Sequence, residues 1–316
     1  MDRILSASSA NGVDWVRDRG VRIDAEGSES RDMIYFNHVI TIPDGFRMYY
    51  HASFFRDGVW AGNVFSATSK DGLRWKTGCR LQLRGENDDV VRHVQSPTIV
   101  ELDDGHWRMY YVAEGAGGER TVQSARSDNG KDWVVESGVR VDRFFFNGVD
   151  SLSDCSVQIF GDGFRLYLSV SQGVQTSIMS AFSSDGLNWE AEQGERISAG
   201  VLGRTLIANN PCVIPVNGEW WMYFRGGDKL AVENCIYLAK SLDGLDWQIE
   251  CRVLGPRPKS LYDCHAVAFP FVLQLPNGSF KMYYSGFWGK HFNSQRIVNQ
   301  WEAATAQAYK KRSSVQ

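Results

Sequence analysis

A seven-residue motif occurs five times along the chain and constrains its fold more than any other feature. Each copy begins with serine, has Asp-Gly or Asn-Gly at its centre and ends with tryptophan. The copies are SANGVDW, SKDGLRW, SDNGKDW, SSDGLNW and SLDGLDW, which end at Trp15, Trp75, Trp133, Trp189 and Trp247. The tryptophans are therefore 56 to 60 residues apart. Self-similarity at a fixed period of this length indicates a repeat architecture.

Each repeat is predicted to contain four antiparallel strands. An alternating strand of small residues precedes the heptad, the Asp/Asn-Gly pair supplies the positive φ of a tight hairpin, and a strand that begins at tryptophan follows. A second hairpin, with turns such as Pro43-Asp44-Gly45, joins an apolar strand to an aromatic one such as FRMYYH. The apolar strand is too uniformly hydrophobic to face water on one side, so we expect it to be the buried innermost strand.

Five such units without helical periodicity predict an all-β, five-bladed β-propeller of four-stranded antiparallel blades. Residues 1–316 are expected to form this single domain. The heptads are expected to be structural and to pin the outer hairpin of each blade. Because a heptad precedes the first innermost strand and none follows the fifth, the strand after Trp15 should complete the last blade and close the ring. The sequence leaves open whether Ile4 to Ser8 also pairs there.

Composition argues against several classes of function. A net charge of -3 and the lack of a Lys/Arg run give no footprint for nucleic acid or an anionic membrane. A small, polar or glycosylated molecule is the expected partner. No apolar segment has the length of a signal-peptide core or a membrane span, which predicts a cytoplasmic protein. No P-loop, dinucleotide fingerprint or zinc spacing occurs, so no cofactor or metal site is expected. The six cysteines are expected to be reduced and mostly buried.

The innermost strands of a propeller converge on a central channel, where a ligand pocket is expected. Alignment of the repeats on the second hairpin gives one equivalent channel position in each repeat. These positions hold Asn37, Ser96, Asp154, Asn210 and Phe269. Further polar candidates lie beside these positions, on the loops that lead to these strands or on later segments. They are Asp32, His38, Arg92, His93, Asp150, Asn209, Arg225, Asp263, His265 and Trp288.

The whole chain resembles the five-bladed propeller glycosidases of the arabinanase/xylosidase family, glycoside hydrolase family 43, and the related invertase-like family. Those families carry hairpins similar to the heptads of this chain. The resemblance implies a base or nucleophile Asp on the first innermost strand, a supporting Asp on the third blade and a general-acid Glu, in Glu-Gly-Pro or Glu-Cys-Pro, on the fourth. Here the first position is Asn37 and the fourth-blade motif is Asn209-Asn210-Pro211, whereas Asp154 keeps the supporting acid. The resemblance also implies that His265 faces the axis, where an ion or water could bind.

An amide cannot act as a general acid or nucleophile, although it can hydrogen-bond a sugar hydroxyl. We therefore predict a divergent glycosidase-like protein that acts on a small glycoside or polyhydroxylated metabolite. Asp154 would be the principal acid or base, helped by His265 or Asp263. The substrate would be oriented by Asn37, His38, Arg92, His93, Ser96, Asp150, Asn209, Asn210, Arg225 and Trp288.

Several alternatives remain open at this stage. The protein could catalyse a non-hydrolytic cyclisation or elimination in secondary metabolism, or it could bind sugar without catalysis. An offset of a few residues in the alignment would bring Asp32 or Asp150 to the cavity instead. Cys155 and Cys264 follow acidic residues, but strand alternation would turn Cys155 away from a channel that Asp154 faces. Both thiols are therefore expected to pack rather than react.

Overall fold

The protein is built from β-strands in the computed structural model. The structure describes residues 2–24, 33–56, 59–81, 83, 93–115, 117–203, 206–227 and 234–287. These residues form twenty strands and no helix, so no helix of a length and hydropathy suited to crossing a membrane is found among them. The all-β prediction is confirmed.

The strands pair as five antiparallel groups of four, which we call blades 1 to 5. Blade 1 contains β3 (Met33–Ile42), β4 (Gly45–Arg56), β5 (Val59–Ser69) and β6 (Lys76–Arg80). Blade 2 contains β7 (His93–Glu101), β8 (Trp107–Glu114), β9 (Arg120–Ser127) and β10 (Val134–Val141). Blade 3 contains β11 (Ser151–Phe160), β12 (Gly163–Gln172), β13 (Gln175–Ser183) and β14 (Glu190–Ala191). Blade 4 contains β15 (Ile207–Val216), β16 (Glu219–Gly227), β17 (Cys235–Ser241) and β18 (Gln248–Leu254).

Blade 5 joins the two ends of the chain. It contains β19 (Ala266–Gln274), β20 (Phe280–Phe287), β1 (Asp2–Ser9) and β2 (Val16–Arg17). Strand β1 pairs with β20 along its whole length, and β2 pairs with β1 on the outside. The predicted closure by the strand after Trp15 is confirmed, and Ile4 to Ser8 pair in the same sheet. Each innermost strand contacts the innermost strand of the next blade, and β19 contacts β3, which closes the ring.

The heptads form the turns between the third and fourth strands. In the copy on blade 4, Ser241 Oγ accepts the Gly244 N–H at 2.8 Å, and Asp243 Oδ1 accepts the two N–H groups that follow Gly244. Trp247 Nε1 donates to the Gly244 carbonyl at 3.0 Å. Gly244 has a φ of 72°, and the glycine at this position is in the left-handed region in all five heptads. The turn is thus fixed by its own side chains, as predicted.

The same turns also bind neighbouring blades together. Tyr167 of blade 3 donates its hydroxyl to the Gly244 carbonyl of blade 4 at 2.9 Å, and the Trp247 ring packs edge-on against Tyr167. We call the five tyrosine-to-glycine contacts of this kind the rim latches. The others are Tyr49–Gly130, Tyr110–Gly186, Tyr223–Gly12 and Tyr283–Gly72. Because Gly12 precedes β2, the ring is closed by the same contact that joins the other blades.

The hydrophobic core lies between neighbouring blades. One cluster contains Val112 of blade 2 with Val157 and Leu168 of blade 3, and the other clusters repeat this arrangement around the ring. Burial of apolar surface between blades is the main favourable term in such a fold. It also leaves the polar residues of the innermost strands near the axis.

Candidate functional site

The five innermost strands surround one small cavity in the channel, and each contains a β-bulge at this level. The register with the second strand shifts in all five blades. The five residues predicted for the channel lie at or next to these bulges and line the cavity. They are Asn37, Ser96, Asp154, Asn210 and Phe269, which we call the channel belt. Asn37 pairs with Tyr50 as Cys155 pairs with Leu168, so it lies one residue beyond the position that the other four share. A bulge re-aims side chains that regular alternation would point elsewhere.

The size of the cavity limits what it can hold. Its volume is about 40 Å³, which is enough for a few water molecules. Small-molecule sites usually have volumes of about 300 to 1,000 Å³. The belt can therefore receive water or one substituent of a ligand. The body of a larger ligand would lie above it, at the mouth where the innermost strands begin.

Asp154 is the carboxylate of the channel belt and is 4% exposed. Its Oδ2 accepts hydrogen bonds from Asn210 Nδ2 at 2.7 Å and from the Asn210 backbone N–H at 3.3 Å. Burial raises the pKa of Asp154 and outweighs the hydrogen bonds from Ser169, Asn210 and Ser153 that lower it. A neutral carboxyl group is therefore favoured over a wider pH range than in water.

Hydrogen bonds continue from Asp154 around the belt. Asn210 Oδ1 accepts the Phe269 N–H at 3.4 Å, and the Phe269 carbonyl accepts from Asn37 Nδ2 at 3.3 Å. Asn37 is 8% exposed, and its Oδ1 accepts no hydrogen bond from the described residues. A buried acceptor without a donor costs free energy unless water or a ligand hydroxyl supplies one. Asn37 Oδ1 is thus suited to accept from a hydroxyl group that enters the cavity.

A second layer of contacts holds the blades together deeper in the channel. Thr98 Oγ1 accepts the Val157 N–H at 3.2 Å, and Ser156 Oγ accepts the Val213 N–H at 3.3 Å. His38 lies in this layer, where its ring packs 4.4 Å from that of Phe271. Burial lowers the pKa of His38 to about 3, so the ring is neutral at physiological pH. His38 therefore brings no positive charge to the cavity.

Cys155 lines the cavity together with Asp154, which corrects the expectation from strand alternation. The bulge between Leu152 and Cys155 breaks the alternation that would have turned the thiol away. The Cys155 N–H donates to Ser96 Oγ at 3.0 Å, and its thiol donates to the Ser96 carbonyl at 3.2 Å. Burial raises the pKa of the thiol, so it stays protonated and is a poor nucleophile. The expected packing role agrees with these contacts.

The other two acid/base candidates lie outside the cavity lining. Asp263 is fully buried beside Arg17, which donates to Oδ2 at 2.7 Å, and beside Arg257, which donates to Oδ1. Burial alone would raise the pKa of Asp263, but a hydrogen bond from Ser260 and the charges of both arginines hold it below its usual value. An ionised, ion-paired carboxylate is suited to a structural role. His265 is exposed just before β19, and its N–H donates to the Phe287 carbonyl at 3.1 Å.

The remaining described candidate residues do not line the cavity. His93 is the first residue of β7, and Asn209 and Arg225 are register partners on β15 and β16. Asp150 is exposed and accepts the Gly173 N–H at 2.7 Å. Arg92, Trp288 and Asp32 lie outside the described residues. Their predicted roles stay predictions.

The structure adds two residues that sequence reasoning missed. Tyr35 stacks on Phe269 with 5.1 Å between ring centroids and lies 4.8 Å from the ring of His51. His51 is fully buried, and its Nδ1 lies 2.9 Å from the Val94 carbonyl. Burial, together with the charge of His93, lowers the pKa of His51 to about 3. One side of the channel is thus aromatic, while the side with Asp154 and Asn210 is polar.

Comparison of the five repeats could have identified His51 as a candidate site residue. His51 differs from its counterparts in the other four repeats. It stands one residue beyond the aromatic stretch of its strand, where the other four blades have smaller or different polar residues. Those residues are Val112, Ser169, Arg225 and Ser285. A departure from the repeat at an inward position would have marked His51 as a candidate.

The described cavity lining supplies one carboxylate, Asp154. No group of three or more His, Cys, Asp or Glu side chains suited to a metal ion occurs in the part of the chain that the structure describes. Of the cysteines, Cys155, Cys212, Cys235, Cys251 and Cys264 form no disulfide, and the first three of them are buried. The chemistry available from these residues is therefore proton transfer by Asp154 and hydrogen bonding by the amides.

Comparison with solved structures gives the same fold. A protein described as a glycoside hydrolase matches with a TM-score of 0.71 over 88% of this chain and 93% of its own, at 13% identity. A family 117 glycoside hydrolase from the marine bacterium Zobellia galactanivorans matches with a TM-score of 0.60 over 90% of both chains, at 14% identity. A thermostable family-43 glycoside hydrolase matches with a TM-score of 0.57 over 83% of this chain and 93% of its own, at 13% identity.

The predicted similarity to propeller glycosidases is confirmed by these matches. At such identities the similarity establishes the fold alone. No protein-family model matches the sequence, and a search of curated proteins found no match.

Proposed function

We propose that the protein binds a small glycoside or another polyhydroxylated metabolite at the channel mouth, with Asp154 as the group that donates or accepts a proton. The observation that carries the proposal is the buried carboxyl of Asp154, which lines the cavity and has a raised pKa. The fold that the chain shares with glycoside hydrolases supports the ligand class. Asn37 Oδ1 supplies an acceptor for one ligand hydroxyl.

Glycoside hydrolysis of the usual kind needs two carboxyl groups on opposite sides of the scissile bond. The described lining offers Asp154 alone, and amides stand at Asn37 and Asn209 where the resemblance implies acids. We therefore propose that the site binds its sugar without ordinary two-carboxylate hydrolysis. One acid in a shaped site suffices for simpler proton transfers.

The test is a panel of chromogenic arabinosides, xylosides, fructosides, galactosides and glucosides, assayed for turnover and by calorimetry for binding. We expect saturable binding of at least one sugar and no release of chromophore. Asp154→Asn should weaken binding, because Asn lacks the O–H donor of a neutral carboxyl. The exposed Asp162, in the turn at the far end of β11, provides the matched control Asp162→Asn.

Two results would contradict the proposal. Turnover that is lost in Asp154→Asn and kept in Asp162→Asn would make the protein a hydrolase with a second acid outside the described cavity lining. The lack of binding by every sugar, in a protein shown to be folded, would rule out the proposed ligand class.

A second candidate function is a non-hydrolytic catalyst of cyclisation or elimination in the biosynthesis of a natural product. The aromatic side of the channel favours it, because Tyr35 and Phe269 are only partly buried and lie across from the acid. An apolar wall and one proton-transfer group can orient and protonate a planar substrate. Calorimetry with 4-nitrophenol and with the matching methyl glycosides separates the two candidates. Binding of the free phenol alone would favour the second.

A further inference from the structure

A second cavity lies away from the channel, at the boundary between blades 4 and 5. Its volume is about 410 Å³, which is within the range of about 300 to 1,000 Å³ typical of small-molecule sites. The residues that line it are Arg17, Cys235, Arg252, Gly255, Pro256 and Pro258. Two guanidinium groups from different blades thus face the same space.

Arg17 departs from the repeat. It stands two residues after the heptad tryptophan, where the other four blades have uncharged residues. Those residues are Thr77, Val135, Ala191 and Ile249. Since an uncharged side chain is sufficient at this position in four blades, the fold of a blade does not require arginine there. The charge of Arg17 needs an explanation specific to this boundary.

Part of the explanation is the ion pair with Asp263. Arg17 Nε donates to Asp263 Oδ2 at 2.7 Å and lies 3.2 Å from the Tyr284 hydroxyl, and its Nη2 donates to the Gly255 carbonyl. Asp263 also accepts from Arg257 through its other oxygen. One carboxylate is therefore shared by two guanidinium groups. Arg17 Nη1 donates to none of the described residues and is left for a ligand.

Arg252 adds a further positive charge. Its side chain is exposed on β18, and it forms no ion pair with any carboxylate in the described residues. Glu250 lies two residues earlier on the same edge of β18, but it also forms no ion pair there. The described lining of the cavity thus contains two guanidinium groups, those of Arg17 and Arg252, and no carboxylate. This excess of positive charge favours an anion.

We propose that this cavity binds a small anion with a carboxylate or phosphate group, held between the guanidinium groups of Arg17 and Arg252. Guanidinium groups bind both kinds of oxyanion through paired N–H donors. Pro256 and Pro258 form one wall, and their fixed φ reduces the entropy lost when a ligand binds. The site is independent of the proposed function in the channel.

The test is calorimetric titration of the full chain, at low ionic strength, with inorganic phosphate in one arm and citrate in the other. Sodium chloride at matched ionic strength measures the effect of screening. We expect saturable binding in at least one arm and at least about a tenfold loss of affinity in Arg252→Gln, since hydrogen bonds to charged groups are the stronger kind. The matched control is Arg80→Gln, because Arg80 is the exposed residue five positions after its heptad tryptophan, as Arg252 is.

Each outcome bears on the proposal. Binding of phosphate alone assigns a phosphate group, and binding of citrate alone assigns a carboxylate. Equal losses in Arg252→Gln and Arg80→Gln would show general charge attraction and overturn the site. The lack of saturation beyond the sodium chloride control in both arms would also overturn it. Circular dichroism of each variant verifies that the fold is kept.

Discussion

At the rim, a tyrosine hydroxyl donates to a heptad glycine carbonyl at each of the five blade boundaries. In the channel, the equivalent position holds a different side chain in almost every blade, from Ser96 through Asp154 to Phe269. Both sets of residues hold neighbouring blades together. The rim does so with one contact repeated five times. The channel belt does so with a different contact at each of four boundaries, those between blades 2 and 3, 3 and 4, 4 and 5, and 5 and 1. The rim therefore follows the repeat, whereas the belt departs from it in nearly every blade, which is why the proposed function is placed at the belt.

The largest effect is expected from a change that disturbs a rim latch directly. In Gly186→Ala, the new Cβ would lie 2.5 Å from the Tyr110 hydroxyl and 2.6 Å from Arg108 Nη1, at a φ of 72°. Backbone strain of about 1 to 2 kcal/mol adds to overpacking of about 1 to 3 kcal/mol. We expect a loss of unfolding free energy of about 2 to 5 kcal/mol from these two sources, measured by urea denaturation.

Gly161→Ala is the matched control for this change. Gly161 also has a positive φ, of 60°, but a Cβ there would meet no atom within 4 Å. It should cost only the backbone strain of about 1 to 2 kcal/mol. Equal losses in the two variants would show that the contact with Tyr110 does not limit stability.

The second largest effect is expected from removal of a tyrosine hydroxyl, and the loss of unfolding free energy should differ between two rim latches. Tyr110→Phe leaves the Gly186 carbonyl without its hydroxyl donor, and Trp189 Nε1 makes no hydrogen bond that could replace it. The expected cost is about 1 to 3 kcal/mol, that of a buried unsatisfied acceptor. Tyr167→Phe should cost less, about 0.5 to 1.5 kcal/mol, because Trp247 Nε1 still donates to the Gly244 carbonyl. If urea denaturation shows a larger loss of unfolding free energy in Tyr167→Phe than in Tyr110→Phe, the indole donors do not support the latches.

A smaller effect is expected in the belt, where it depends on pH. Asp154 has its pKa raised above the ordinary value of 3.8 by burial. Between the two pKa values the folded protein binds more protons at this group than the unfolded chain does. Its stability therefore falls as the pH rises through that window. Asp154→Asn removes this slope and keeps an oxygen acceptor for Asn210.

Urea denaturation between pH 4 and pH 8 tests this prediction. The variant should gain stability relative to the wild-type protein as the pH rises. The exposed Asp162→Asn variant should follow the wild-type curve. Parallel curves for Asp154→Asn and wild type would show that the buried carboxyl ionises as an ordinary aspartate.

The smallest effect is expected from Asp243→Asn, because two of the five heptads have asparagine at the equivalent position. Asn11 and Asn129 accept the same two backbone N–H groups that aspartate accepts in the other copies. Asp243→Asn should therefore change the unfolding free energy by less than about 0.5 kcal/mol. Asp243→Ala removes the acceptor and should cost about 1 kcal/mol. A large loss in Asp243→Asn would mean that charge, rather than hydrogen bonding, fixes the turn.

The repeat made the fold predictable to the level of single residues. The glycine conformation, the tryptophan packing and the closure of blade 5 followed from the spacing of the heptads, because each part is determined by contacts within one repeat or with the next. Alignment of the repeats gave the equivalent channel positions of Ser96, Asp154, Asn210 and Phe269, whereas Asn37 lies one residue beyond the equivalent position in blade 1.

Other features could not be predicted, because they depend on contacts between residues far apart in the chain. The sequence predicts Asp263 beside the channel, but Asp263 pairs with Arg17, which is 246 residues away. Cys155 faces the cavity because a bulge overrides alternation. Tyr35 meets Phe269 only because the ring closes between blades 5 and 1.

The sequence by itself determined the architecture, since turn chemistry and apolar strands recur at one period and local rules are enough to interpret them. Tertiary structure decided the protonation and surroundings of the candidate site. The pKa of Asp154 depends on how completely neighbouring blades exclude water from it. The pKa of Asp263 is kept low, against its burial, by Ser260 and Arg257 of its own loop together with Arg17 from β2. Burial and charge pairing are properties of the assembled ring, so no single repeat contains them.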